Sequence, residues 1–279
     1  WQKFSRSTYR IMEKLSSKYS ICGGFTVNVT ACVASAQSIG LSFRMLKRSG
    51  SRVIITGGFD SMLNHLHYMG FYKLGALSTW ENLPEEACRP FDKNRCGIVL
   101  GEGAIVFILQ NADEADPSCI IAEIVGYSST MDAYMVTDPD PEGKNLAKAA
   151  VNAIKEAGIS PQEIDCVHLH GTGTLKNELA EYEAMKLVFP NCYKEIPVYS
   201  MKGQVGHLIG ACGAMEMLGV IYSIQNQAVP QTVNFEEVDP DISLFVVKDK
   251  PLKMKIHYVL KLNSAFGGQN TALVVKKYA

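Results

Sequence analysis

The sequence predicts an α/β layered fold. Strand-like apolar runs alternate with helix-like stretches from end to end, and no low-complexity linker or short repeat interrupts them. At 279 residues, 47% hydrophobic and 20% charged, the chain is long and apolar enough to bury a sizeable core.

The elements read in order as follows. Residues Ser7 to Lys18 form an amphipathic helix pattern. An apolar extended run from Phe25 to Val29 meets small residues and then a helix-like stretch ending near Arg48. Arg52 to Thr56, Ile98 to Gln110 and Ile120 to Tyr127 are strand-like, and Lys144 to Ala157 is helical. Ile164 to His170 reads as a buried strand that runs into a Gly/Thr turn, with a helix from about Glu178 to Val188. A Gly-rich loop then enters an apolar helix reaching about Gln225. After a connection marked by Pro230, Pro240 and Pro251, Ile256 to Leu262 and Thr271 to Lys276 supply the last strands.

Composition narrows the function classes. A net charge of −1 gives no whole-chain electrostatic case for nucleic acid. The longest apolar stretches, Ile98 to Leu109 and Leu208 to Ile224, are broken by Glu102, Gly103, Glu216 and Gly219, so neither reads as a membrane span. Eight cysteines at scattered spacing, with no CxxC pair and no secretion signal, point to reduced thiols in a cytoplasmic compartment. No histidine–cysteine spacing suggests zinc, so no metal is expected.

Three residues carry a chemical pattern. Cys32 stands in Asn28-Val29-Thr30-Ala31-Cys32-Val33-Ala34 at a strand-to-helix turn, where a helix N-terminus favours thiolate and backbone N–H groups can hold an oxyanion. His170 precedes Gly171-Thr172-Gly173-Thr174, and His207 lies in Lys202-Gly203-Gln204-Val205-Gly206-His207-Leu208. One thiol and two loop histidines, each at an element boundary, suggest a thiol-based acyl-transfer site. His65, His67, His168 and His257 read as structural.

These motifs, in this order, resemble the β-ketoacyl-acyl-carrier-protein synthases, condensing enzymes of the thiolase-like superfamily. Thr30-Ala31-Cys32 is similar to the family's nucleophile segment, His170-Gly171-Thr172-Gly173-Thr174 to its first histidine motif, and Lys202 with Gly206-His207 to its lysine and second histidine. Arg89-Pro90-Phe91-Asp92 with Arg95 and Gly101-Glu102-Gly103 follows the same pattern, and Asn263-Ser264-Ala265-Phe266-Gly267-Gly268-Gln269-Asn270 is similar to the terminal glycine-rich loop. That loop is shortened or altered, Cys96 stands where an acidic residue is common, and Glu178 replaces a usual aspartate.

The resemblance implies a thiolase-like αβαβα fold, with the rest of an N-terminal half over residues 1–110 and a C-terminal half over residues 111–279. It implies a decarboxylative Claisen condensation between an acyl group on Cys32 and malonyl-acyl carrier protein, in fatty-acid or type II polyketide synthesis. The backbone N–H groups of Cys32 and Phe266 would form the oxyanion hole, and Phe266 would gate the pocket. His170 and His207 would stabilise the enolate, with Lys202 and Glu181 supporting them. Thr172, Thr174, Gly267 and Gly268 would contact the substrate arm. No cofactor is implied, since substrates arrive on phosphopantetheine. The implied partners are acyl carrier protein and a second or related subunit.

Only 31 residues precede Cys32, where the family has well over a hundred, so the reading expects an absent N-terminal half, a separate chain being one explanation. Lys3, Arg6, Arg10, Lys47, Arg48 and Arg52 are candidates for recruiting an acidic carrier, although a solvated surface explains them equally well. A non-catalytic chain-length subunit and a Cys–His hydrolase stand as alternatives. Retention of Cys32 with both histidines disfavours the former, and two histidines with a lysine suit decarboxylation better than hydrolysis.

Overall fold

The computed structural model describes residues 2–49 and 52–278, with side chains described for 8–48 and 52–278. The chain runs α1 (Gln2–Lys18), α2 (Ala34–Ser49), β1 (Val53–Ser61), α3 (His65–Lys73), β2 (Glu102–Gln110) and β3 (Glu123–Met131). It continues through α4 (Lys144–Ala157), β4 (Cys166–His168), α5 (Leu175–Val188), β5 (Pro197–Tyr199), α6 (Lys202–Val205) and α7 (Cys212–Asn226). The short strands β6 (Ala228–Val229), β7 (Phe245–Val246) and β8 (Leu252–Lys253) precede β9 (Tyr258–Ala265) and β10 (Gln269–Lys276).

A six-stranded sheet, in the order β3-β10-β9-β4-β5-β7, forms the centre of the molecule. Its β3, β10 and β9 pair antiparallel, whereas β9, β4, β5 and β7 run parallel. Alternation along the strands splits the side chains between two cores. Val167, Val198, Leu260, Leu262 and Val274 point to α4 and α5, where Ala149, Ala150, Ala153 and Met185 are buried. Cys166, Tyr199, Val259, Leu273 and Val275 point the other way, to Ile39 of α2 and Met217 and Val220 of α7.

The antiparallel pair β1–β2 covers the far side of α2 and α7, with Ile105, Phe107 and Leu109 turned inward and Val106 and Ile108 exposed on the outer face. Four layers therefore stack as helix, sheet, helix, sheet, in agreement with the layered α/β fold. Helices α2 and α7 touch through Gly213, where a Cβ would come within 2.4 Å of the Ala36 backbone nitrogen.

Most expected elements are present with shifted ends. The Arg52–Thr56 strand extends to Ser61, and the pattern beginning at Ile98 becomes regular only at Glu102. Ile98 and Leu100 instead make single bridges to Leu77 and His207. In the Ile164–His170 run only Cys166–His168 pair, because the chain must leave the sheet to place His170. The Phe25–Val29 run forms no strand. An extended segment needs a neighbour for its ladder, none pairs with it among the described residues, and Val29 is 87% exposed. Among the described residues, no helix is long and apolar enough to cross a membrane.

Candidate active site

The Cys32 turn is built by strain and small residues. Ala31 takes φ +48°, a left-handed conformation rare outside glycine, and opens the 3₁₀ turn Ala31–Val33 that leads directly into α2. This lifts the thiol out of the helix and toward β9. The backbone N–H groups of Cys32 itself and of Phe266 face the sulfur. The expectation of a resting thiolate does not hold: burial pushes the Cys32 thiol up to about 12, and the opposing pull of Lys202 is weaker. The turn geometry matches the sequence reading, but desolvation outweighs the helix terminus.

His207 is set by an equivalent turn. Ile209, at φ +45°, opens the 3₁₀ turn Ile209–Ala211 in front of α7. The backbone around His207 is pinned by its N–H to Val99 (2.7 Å) and by the Gly101 N–H to its carbonyl (3.0 Å). Its Nδ1 accepts the Ile209 N–H at 3.0 Å and lies 3.1 Å from Cys212 Sγ. With Nδ1 an acceptor, the proton of the neutral ring sits on Nε2. Burial, then Lys202 and His170, hold its pKa well below the ordinary range, so the ring is neutral.

His170 is held as a neutral ring by a different set of groups. Lys202 Nζ lies 3.0 Å from its Nδ1 and donates to its carbonyl at 2.5 Å. Asn263 Nδ2 lies 3.1 Å from the same Nδ1. An ammonium and an amide NH₂ have only protons to offer, so Nδ1 is again the acceptor and Nε2 carries the proton. Burial, aided by Lys202, pushes the His170 pKa down to about 4. The two rings meet edge to face, 5.3 Å between centroids and 88° apart. The Cys32 sulfur and one ring nitrogen of each histidine all lie within 4.8 Å of one another. These three form the one His/Cys/Asp/Glu group among the described residues close enough to hold a metal ion. Both histidines, however, have Nδ1 taken and carry their proton on Nε2, an arrangement suited to an anion.

Sequence reasoning missed the residue at the middle of this network, Glu216. The expected Lys202–Glu181 support is divided between two carboxylates. Lys202 pairs with Glu216 Oε1, while Glu181 accepts the backbone N–H groups of His170 (2.5 Å) and Gly171 (2.9 Å) and the Asn177 side chain. Burial would raise Glu216, but Lys202 and Lys261 outweigh it and hold the carboxyl well below its usual range. Burial likewise opposes the charge on Lys202, and Glu216 overcomes it. The sequence signal for Glu216 was a lone acid in an apolar helix, which served above only as a reason against a membrane span. Cys212, Lys261 and Asn263 were also given no role. Glu181 itself is pushed up to about 8 by burial and by neighbouring Glu178.

A cavity of about 380 Å³ opens onto Cys32, His170 and His207. Thr172 and Thr174 line it, their hydroxyls 2.9 Å apart, and so does Phe266, which is 38% exposed. Gly267 and Gly268, expected at the substrate, instead make the β9–β10 turn at φ +86° and +73°. The Gly267 N–H donates to Val136 at 2.6 Å, and neither glycine lines the cavity.

The Arg89-Pro90-Phe91-Asp92 segment acts as a clamp behind the site. Asp92 accepts the N–H groups of Glu236 and Glu237, each at 2.8 Å, and Arg89 bonds Asp92 and Glu236. Arg95 reaches Asp239 at 2.6 Å and Glu178 at 3.4 Å. Glu178 in turn accepts the Gly173 N–H at 2.6 Å, which ties the clamp to the turn after His170. His168, read as structural, is fully buried edge-on to Tyr199 at 4.6 Å, with neither ring nitrogen hydrogen-bonded. Of the six basic residues singled out, Arg10, Lys47, Arg48 and Arg52 are exposed, and Lys3 and Arg6 lie outside the described side chains.

A buried thiol at a strained turn faces two histidines across the seam of a layered α/β fold, the arrangement that the resemblance to condensing enzymes led one to expect. Family models for the N-terminal and C-terminal domains of β-ketoacyl synthase match residues 12–115 and 121–236. The chain belongs to the β-ketoacyl synthase family, as the motifs anticipated. It is 37% identical over 252 residues to 3-oxoacyl-[acyl-carrier-protein] synthase 2 of Staphylococcus aureus (strain COL), covering 90% of this chain and 61% of the relative. Identity to the synthase of the same name from Synechocystis sp. is 36% over the same span. The chain thus spans about three fifths of the length of the curated relatives it matches. Among solved structures, AntDE:AntF, a type II PKS acyl-carrier protein in complex with its ketosynthase, superposes at TM-score 0.93 with 29% identity, over 96% of this chain and 66% of that one. The ketosynthase ApeO, in complex with its chain length factor ApeC from Xenorhabdus doucetiae, reaches 0.84 with 28% identity, over 95% and 63%.

Proposed function

We propose that this chain carries the catalytic centre of a ketosynthase that extends acyl chains held on acyl carrier protein. The observation that carries the reading is the approach of Cys32, His170 and His207 within 4.8 Å, with each histidine's Nδ1 occupied and its Nε2–H left for substrate. The Cys32 sulfur attacks the carbonyl of an acyl thioester. The tetrahedral oxyanion collapses to acyl-Cys32, and the carrier leaves as a thiol with the proton given up by Cys32. The N–H groups of Cys32 and Phe266 are the donors for that oxyanion, the kind of pair worth roughly 3–4 kcal/mol of barrier.

Malonyl thioester then loses carbon dioxide, and the electron pair of the broken C–C bond becomes an enolate whose oxygen faces the two Nε2–H groups. The enolate carbon attacks acyl-Cys32, and the carbon–sulfur bond breaks with its electron pair on sulfur, freeing the β-ketoacyl thioester and a Cys32 thiolate that takes a proton from water to regain the resting thiol. Thr172 and Thr174 line the path for the phosphopantetheine arm, and Phe266 borders both it and the thiol. None of these steps calls for a metal or redox cofactor. The division into halves at residues 110 and 111 belongs to the same proposal, supported by Cys32 falling in the first and both histidines in the second.

Acyl carrier protein and a second or related subunit are the proposed partners, and eight free cysteines support a cytoplasmic setting. Working beside a chain-length partner in type II polyketide synthesis is a specific form of this function, favoured by the likeness to AntDE and ApeO.

The test is intact-protein mass after incubation with acyl-acyl carrier protein, followed by malonyl-dependent product formation. Wild type should gain one acyl mass and Cys32→Ala none, with its fold unchanged. Labelling of Cys32→Ala would remove this nucleophile, and a labelled wild type that makes no malonyl-dependent product would turn the reading to hydrolysis.

A further inference from the structure

The buried network holds one more cation than its pairing needs. Lys202 already satisfies Glu216 Oε1, yet Lys261, on β9 with its side chain fully buried, places Nζ 3.0 Å from Glu216 Oε2. A buried lysine is costly, so a second one on the same carboxylate calls for a further role. Its other partner is the Asn263 Oδ1, two residues along the same strand and on the same face.

That contact, together with Glu216 on the other side, sets which way the Asn263 amide points. With Oδ1 held by Lys261, both amide protons are directed away, one to Glu216 Oε2 at 2.5 Å and one toward His170 Nδ1 at 3.1 Å. Turned over, the amide would set an oxygen against Glu216 and against the His170 lone pair. It would then pull against Lys202 toward the other tautomer, with the proton on Nδ1 and none on Nε2. Lys261 also adds positive charge beside a ring that already faces Lys202, Glu216 and His207, with Cys32 across the centre.

We propose that Lys261 is a positioning residue that acts through Asn263 to hold His170 as the neutral Nε2–H donor, a role that rests on the ketosynthase reading of the site. Its charge supports the same state, because it opposes protonation of His170.

The test uses ¹⁵N-histidine spectra of the full chain across pH 5–8, with the His170 signal assigned from His170→Asn, alongside the pH profile of malonyl decarboxylation. Wild type should show the neutral Nε2–H tautomer throughout. Lys261→Met should yield a mixed tautomer, with Lys202 still donating to Nδ1, and a titration moved upward, and decarboxylation should fall about tenfold in kcat, the low end of the loss seen when the partner of a metal-bound histidine is removed. Lys261→Gln, which can still donate to Asn263 without the charge, should recover the tautomer but not the low titration. It also serves if Lys261→Met does not fold.

An unchanged His170 spectrum in a folded Lys261 variant would overturn the proposal, as would an Nδ1–H tautomer in wild type. The spectra need no turnover, so inactivity of wild type would count against the ketosynthase reading and leave the assignment of Lys261 to be judged by the tautomer.

Discussion

Glu216 carries the most electrostatic weight of any side chain in the site. It is the shared anion of Lys202 and Lys261, and it also accepts from Asn263. Glu216→Gln keeps the shape but leaves two buried ammonium groups without a counter-charge. Urea unfolding should show a loss of about 3–5 kcal/mol, the usual cost of breaking a buried pair. Cys32→Ala, by contrast, removes one sulfur from a small cluster with Ile98, Leu100 and Ile209 and should cost less than about 1.5 kcal/mol while abolishing acyl loading. Cys32→Gln should keep malonyl decarboxylation, since a side-chain amide imitates the acylated sulfur and leaves both histidine Nε2–H groups in place. Release of carbon dioxide from malonyl carrier protein, measured without an acyl donor, checks this.

At the scale of elements, the geometry of the proposed site depends on how closely α2 and α7 approach. Each begins in a strained 3₁₀ turn, one holding Cys32 and the other following His207, and they meet where Gly213 lies against Ala36. Gly213→Ala is allowed by helix propensity but drives a methyl group into the Ala36 backbone. It should destabilise the fold by about 1–3 kcal/mol through overpacking and slow acyl loading, because separating the helices moves the thiol away from His207. Thermal unfolding combined with the loading rate separates the two effects. A matching Gly158→Ala, at the C-cap of α4 where a Cβ meets nothing within 4 Å, should leave loading unchanged and cost only the strain of its φ of +73°.

For the whole molecule, buried titratable groups set how stability varies with pH. His168 is pushed down to about 3, His170 to about 4 and His207 well below its ordinary 6.5, in each case chiefly by burial. At these histidines the folded chain binds fewer protons than the unfolded one below about pH 6.5, and their contribution makes stability fall as pH drops through that window. Glu178, raised to about 7, and Glu181, raised to about 8, again mainly by burial, work in the opposite sense. They keep protons in the folded state that the unfolded state has lost, so stability declines as pH rises toward about 8. The two trends place the maximum near pH 6.5, and Glu181→Gln should flatten the alkaline side. Urea unfolding at several pH values from 5 to 8 checks both.

Much of this protein was legible in its residues. Alternating apolar runs specified the α/β class, and the Thr30-Ala31-Cys32, His170-Gly171-Thr172 and Gly206-His207 motifs named the three groups that the structure brings within 4.8 Å, because strained turns and close approaches restrict which residues fit there. Three things were decided only by tertiary structure. Phe25 to Val29 carries a strand pattern yet makes no strand, because a ladder exists only when a partner supplies the other half of its hydrogen bonds. Cys32 stands at a helix N-terminus yet keeps its proton, because burial, set by everything packed around it, outweighs a local dipole. Glu216, Lys261 and Asn263 come from α7 and β9, far from His170 in sequence, and long-range packing alone joins them into one network behind its ring.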